Sequence, residues 1–88
     1  MNTKLRDEIN NADRQRTSQA TFGTINAVQD ELQGEQMAAL ACAFILLCRR
    51  FGSRPQDVFS AAENLMRDHD QKMRPEFQAV RDYLSQEW

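Results

Sequence analysis

Residues 36–51 read QMAALACAFILLCRRF, and Met37 to Cys48 within them is an unbroken apolar run with no Gly, Pro or charge. The rest of the chain is polar and punctuated by turn residues, so this run decides the fold. It is too short for a membrane, since a spanning helix needs about 20 apolar residues and a run of about 10–14 is more often a buried core helix. Its composition of Ala, Leu, Met and Cys is helical, and Ile45 is its one β-branched residue. Met37, Leu40, Phe44, Leu47 and Phe51 follow the a/d spacing of a heptad, which suits a partner helix. Ala39, Ala43 and Leu46 lie on another face, where the two alanines would let a second backbone approach closely. A helix that is apolar on every side has to be surrounded. Either the other segments wrap it, or a second copy of the chain does part of that work.

At 88 residues the chain is one domain with a modest core. A formal charge of −2 exerts no long-range pull on nucleic acid or anionic lipid. Cys42 and Cys48 point to different faces of one helix and cannot pair with each other. Both are expected to be buried free thiols, which suits a reducing cytoplasm. The opening MNTKLRDEIN is charged and carries neither a hydrophobic signal core nor a lipidation motif. The expected location is therefore cytoplasmic. An origin in bacteria or their phages is a general impression of such short chains and rests on no motif.

Working outward, Gly34 is a natural stop for the preceding segment, and Glu35 then falls in the first turn of the central helix. Ser18 to Gln33 carries Phe22, Ile25, Val28 and Leu32 at near-helical spacing, with Gly23 inside. Residues 1–17 hold only a thin stripe of Leu5, Ile9 and Ala12. They are expected as a loosely ordered or frayed arm, continuous with the next helix or bent from it near Thr17 to Gly23, with residues 18–88 forming the domain. On the other side, Arg49 and Arg50 complement the end of the central helix and Gly52 supplies its left-handed cap. Ser53-Arg54-Pro55-Gln56 has capping-box spacing, with Pro in a first helical turn. The next helix, from about Arg54 to Asp68, turns Val58, Ala61, Ala62 and Leu65 inward. Asp68 to Arg74 is a polar loop. Pro75 opens a last helix on which Phe77, Val80, Leu84 and Trp88 share a face. The fold class is all-α, a small irregular or orthogonal bundle of four to five helices around the central apolar helix at about 36–51.

Groups for catalysis are scattered. His69 stands between Asp68 and Asp70, but consecutive residues fan out and a structural metal site needs convergent ligands. No Gly-rich phosphate loop, nucleophile elbow or HExxH occurs. Glu63 and Arg67 have the spacing of a surface ion pair. No cofactor, metal or enzymatic activity is expected.

Leu47 to Leu65, LCRRFGSRPQDVFSAAENL, resembles a helix-turn-helix, with Cys48, Gly52 and Val58 at the positions of the small residue, the turn glycine and the buried aliphatic. Ser53 departs from that pattern. The resemblance implies DNA contact through Arg49, Arg50, Arg54 and Gln56. Against it, the would-be reading helix carries more acids than bases, whereas phosphate neutralisation drives duplex affinity. The leading expectation is instead a small non-catalytic protein–protein interaction or regulatory accessory module with a protein partner, able to form a homodimer. Nucleic acid is not the expected partner and neither is a membrane, since the run lacks a Lys/Arg-flanked polar face. Asp30, Glu31 and Glu35 form an acidic surface fit for a basic partner. Tyr83 and Trp88 are of the types enriched at binding hot spots.

Overall fold

The computed structural model describes residues 3–88. Among these residues five helices follow in order: α1 (Thr3–Asn10), α2 (Arg14–Ala27), α3 (Gln33–Phe51), α4 (Pro55–Met66) and α5 (Pro75–Glu87). Strands are absent among the described residues, apart from one isolated bridge between Arg67 and Met73. The small all-α bundle read from the apolar periodicity is thus the fold.

The break between the first two helices lies at residues 11–13, not near Thr17 to Gly23. Asp13 takes an extended conformation, and its carboxylate accepts a hydrogen bond from the Arg16 N–H at 2.8 Å. That is an N-cap, and it starts α2 before the position where the apolar spacing begins. The division at residues 17 and 18 falls inside α2. At its other end α2 stops at Ala27 rather than Gln33. The carbonyls of Val28 and Gln29, just beyond this end, accept hydrogen bonds from the Gln36 side-chain amide at 3.0 and 3.4 Å. Residues 28–32 make the turn, and α3 begins at Gln33. Gly34 therefore sits in its first turn rather than stopping α2, beside Glu35.

The end of α3 follows the expectation. Gly52 adopts φ 67° and ψ 33°, and the Ser53 and Gly52 N–H groups reach back to the Cys48 and Arg49 carbonyls at 2.8 and 3.3 Å. This pair of bonds is a Schellman motif. The capping box at Ser53 does not form. The residue flanking α4 is Arg54, which makes no side-chain cap, while the Ser53 hydroxyl is buried with no hydrogen-bond partner. Because the Ser53 N–H closes α3, the residue belongs to the end of that helix and not to the start of the next.

Between α4 and α5 the loop is built on Asp68, whose carboxylate accepts from the N–H groups of Asp70 and Lys72 at 2.8 and 3.0 Å. Arg74 closes it, donating from its N–H to the Met66 carbonyl and from Nε to the Leu65 carbonyl. The Glu63–Arg67 ion pair does not form, because Arg67 has left the helix for an extended conformation.

The helices pack mainly in three pairs: α1 on α4, α2 on α5 and α3 on α4. The buried apolar residues are Cys48, Ala61, Leu65, Phe77 and Val80. Four of these five belong to α4 and α5, so the core sits there rather than around α3. From α3 only Cys48 is fully buried, with Leu40 and Phe44 half-buried. The other described segments do not enclose the apolar run. The molecule is flat, at 36 × 31 × 19 Å, and its radius of gyration of 13.6 Å exceeds the roughly 12 Å of a compact chain of this length.

Candidate interaction surface

The apolar run stands out because its neighbours cover so little of it. Leu40, Phe44 and Cys48, at four-residue spacing, form the least exposed line of α3. The Phe44 ring meets the Phe59 ring with centroids 4.6 Å apart. Beyond that line the helix is open. Met37 is 67% exposed, Phe51 57% and, across the corner on α4, Phe59 56%. Leu46 and Leu47 are also largely exposed, as are Ala39, Cys42 and Ala43. The exposure of Cys42 corrects the expectation that both thiols are buried, although both are free.

The surface is large for the chain. A compact monomer of 10.2 kDa presents about 5,300 Å² of accessible surface. This chain presents 6710 Å². Scattered exposed apolar residues are ordinary, whereas several large ones exposed along one helix are the kind of surface that can bind a protein, a ligand or a membrane.

The residues singled out in the sequence fall in three places. Asp30 and Glu31 lie in the turn before α3, Glu35 lies in its first turn, and all three are exposed. Asp30 and Trp88 come together with Gln29, Gln33, Gln36 and Glu87 around a shallow depression. Tyr83 faces inward: its hydroxyl donates to Asn26 Oδ1 at 2.7 Å and its ring meets Phe22 edge-on, with centroids 5.3 Å apart. It ties α5 to α2.

Arg49, Arg50, Arg54 and Gln56 are exposed around the α3–α4 corner, where the chain turns by 107°. Arg54 leans toward Asp57 at 3.9 Å. The outer side of α4 adds Phe59 and Glu63 to this group, while α1 lies along Asp57, Ser60, Ala61 and Asn64, forming a cleft with Arg6 and Asn10.

The Asp-His-Asp run does not converge. The Asp68 carboxylate is engaged with its own loop backbone, and His69 is exposed beside Asp70 at 3.4 Å. Among the described residues no three His, Cys, Asp or Glu side chains gather where an ion could sit. No single helix among them is long and apolar enough to cross a membrane.

The sequence singled out charged and aromatic groups as sites. It put Leu47 and Phe51 on a stripe suited to a partner helix and left open whether this chain or a second copy covers the run, without marking the exposed apolar residues themselves as a site. The signal that could have found them is a mismatch of supply: one helix apolar on every side, flanked by segments with thin apolar stripes.

Fold and surface together define a small all-α bundle that displays an apolar helix. No family model, curated protein or solved structure matches the chain.

Proposed function

We propose that the chain is a small non-catalytic protein-interaction module, a cytosolic accessory protein whose working surface is α3. One observation carries the reading: Met37, Leu47 and Phe51 lie exposed on a heptad-spaced stripe, with Phe59 beside it across the corner. From Met37 to Phe51 the stripe covers 15 residues, about 21 Å of helix. Those dimensions fit an amphipathic helix of another protein, laid with its apolar side along the stripe.

The test is affinity capture by the tagged full chain, with and without nuclease, using the native protein, Met37→Asp and Arg54→Glu. Protein prey that survives nuclease, is lost with Met37→Asp and is kept with Arg54→Glu supports the module. A prey unaffected by Met37→Asp would remove α3's stripe from the account.

The 107° turn favours a second reading, because helix-turn-helix elements cross at about 90–120°. A DNA-associated regulator would use Arg49, Arg50, Arg54 and Gln56. Phe59, Glu63 and Asp57 on α4 disfavour it, since a phosphate-facing helix gains from Arg, Lys, Asn and Gln. Nuclease-sensitive prey, together with a duplex shift abolished by Arg54→Glu, would establish that reading instead.

A further inference from the structure

The face of α3 opposite Phe44, the residue that meets α4, carries a second pattern. Glu35, Ala39, Cys42 with Ala43, Leu46 and Arg50 recur at three- and four-residue spacing, so they share one side of the helix. All are exposed, and Leu46 is 62% so. The order is antisymmetric about a point between Cys42 and Ala43. Acid at one end answers base at the other, and small Ala39 answers large Leu46.

We infer that this stripe docks on the same stripe of a second copy of the chain, antiparallel. Leu46 of each copy seats on Ala39 of the other, and Arg50 of each faces Glu35 of the other. A two-fold axis through the midpoint generates both contacts twice, as an isologous interface requires. A parallel pairing would instead set Glu35 on Glu35 and Arg50 on Arg50. The alanines allow the axes to approach to about 8 Å, the close end of helix packing. Area agrees as well. The surface of 6710 Å² exceeds the compact expectation by about 1,400 Å², and a standard interface removes about 800 Å² from each partner.

The proposed partner helix lies on a different stripe, so this inference rests on that reading only in treating the apolar run as a contact surface. Cys42 falls beside the two-fold axis, whereas Cys48 is buried within its own chain.

The test is sedimentation equilibrium of the full chain. The native protein is expected at twice the 10.2 kDa chain mass and Leu46→Glu at the single mass. Glu35→Arg and Arg50→Glu are each expected to weaken association about tenfold, because each acts at two symmetric contacts. The double variant is expected to regain near-native association. Loss of helix stability would add in the double variant rather than cancel, so the rescue reads contact and not folding. A short bis-maleimide should join two native chains through Cys42.

A native chain sedimenting at the single mass, or a double variant weaker than either single one, would overturn the inference. So would native chains that bind neutral phosphatidylcholine vesicles and lose that binding with Leu46→Glu, which would give the stripe to lipid. A single-mass chain that still captures prey through Met37 ends the dimer and leaves the proposed function standing. A dimer that captures nothing does the reverse.

Discussion

The Tyr83 hydroxyl donates a hydrogen bond to Asn26 Oδ1 at 2.7 Å, joining α5 to α2 across 57 residues of sequence. Phe22, one turn before Asn26, sets its ring edge-on to the same tyrosine. The pair fixes how the C-terminal helix lies on the N-terminal half, so a residue type associated with binding hot spots serves here as internal structure. Tyr83→Phe keeps the ring contact and removes the donor. The expected cost is about 1 kcal/mol by chemical denaturation, the usual worth of one such bond. A double-mutant cycle with Asn26→Ala should assign most of that loss to the pair. A coupling of zero would mean that the bond adds nothing in solution.

The corner between α3 and α4 makes two opposed expectations. Gly52 has φ 67°, where a side chain is strained, so Gly52→Ala should destabilise by about 1 kcal/mol even though open space surrounds the position. Ser53→Ala should leave the melting temperature unchanged or raise it, because it removes a buried hydroxyl that has no partner. The capping spacing of Ser53 and Gln56 predicts the contrary, a loss of about 1 kcal/mol. A clear fall in melting temperature for Ser53→Ala would restore the cap.

Asp68 links the α4–α5 loop to pH. The Lys72 N–H bonded to its carboxylate holds the group below its ordinary value of 3.8, with partial burial opposing; the Asp70 N–H and the charges of His69 and Arg74 also lower it. A carboxyl whose pKa is depressed in the folded state binds fewer protons folded than unfolded. Its contribution to stability is present above 3.8 and is lost as pH falls from there through the folded value. Asp68→Asn should flatten the acid limb of the melting-temperature profile below 3.8. Parallel acid limbs for the native and variant proteins would show that the loop does not sense this proton.

Much of the fold was legible because helix ends are local chemistry. Gly52 and Pro75 punctuate as their types require, and the Phe77–Val80–Leu84 spacing marks the face that α5 turns inward. What was not legible depends on distance in space. Asp13 as a cap and the Gln36 amide reaching back to Val28 carry no apolar periodicity, so both boundaries of α2 were displaced. The larger difference concerns α3. Apolar spacing shows that a helix seeks cover, yet it cannot show who supplies it. The same letters at Leu46 and Leu47 describe a core or an interface, and only the placement of α4 and α5 shows that this chain leaves them open.

That difference fixes an order of mutational costs. If α3 were enclosed, Leu40→Ala and Phe44→Ala would each cost about 2–5 kcal/mol, the range for a buried large-to-small change. Leu65 and Phe77 are the large residues buried here, while Leu40 and Phe44 are half-buried. The cavity cost applies in full only where neighbours surround the deleted atoms on every side. Leu65→Ala should therefore cost about 2–5 kcal/mol and Phe77→Ala about 3–5 kcal/mol. Phe44→Ala should fall below both, because the truncation opens toward solvent and forfeits chiefly the contact with Phe59. Urea titrations at a concentration where the chain sediments as a single copy measure all four without a contribution from association. If Leu40→Ala proved costlier than Leu65→Ala under those conditions, the core would have to be moved back to α3.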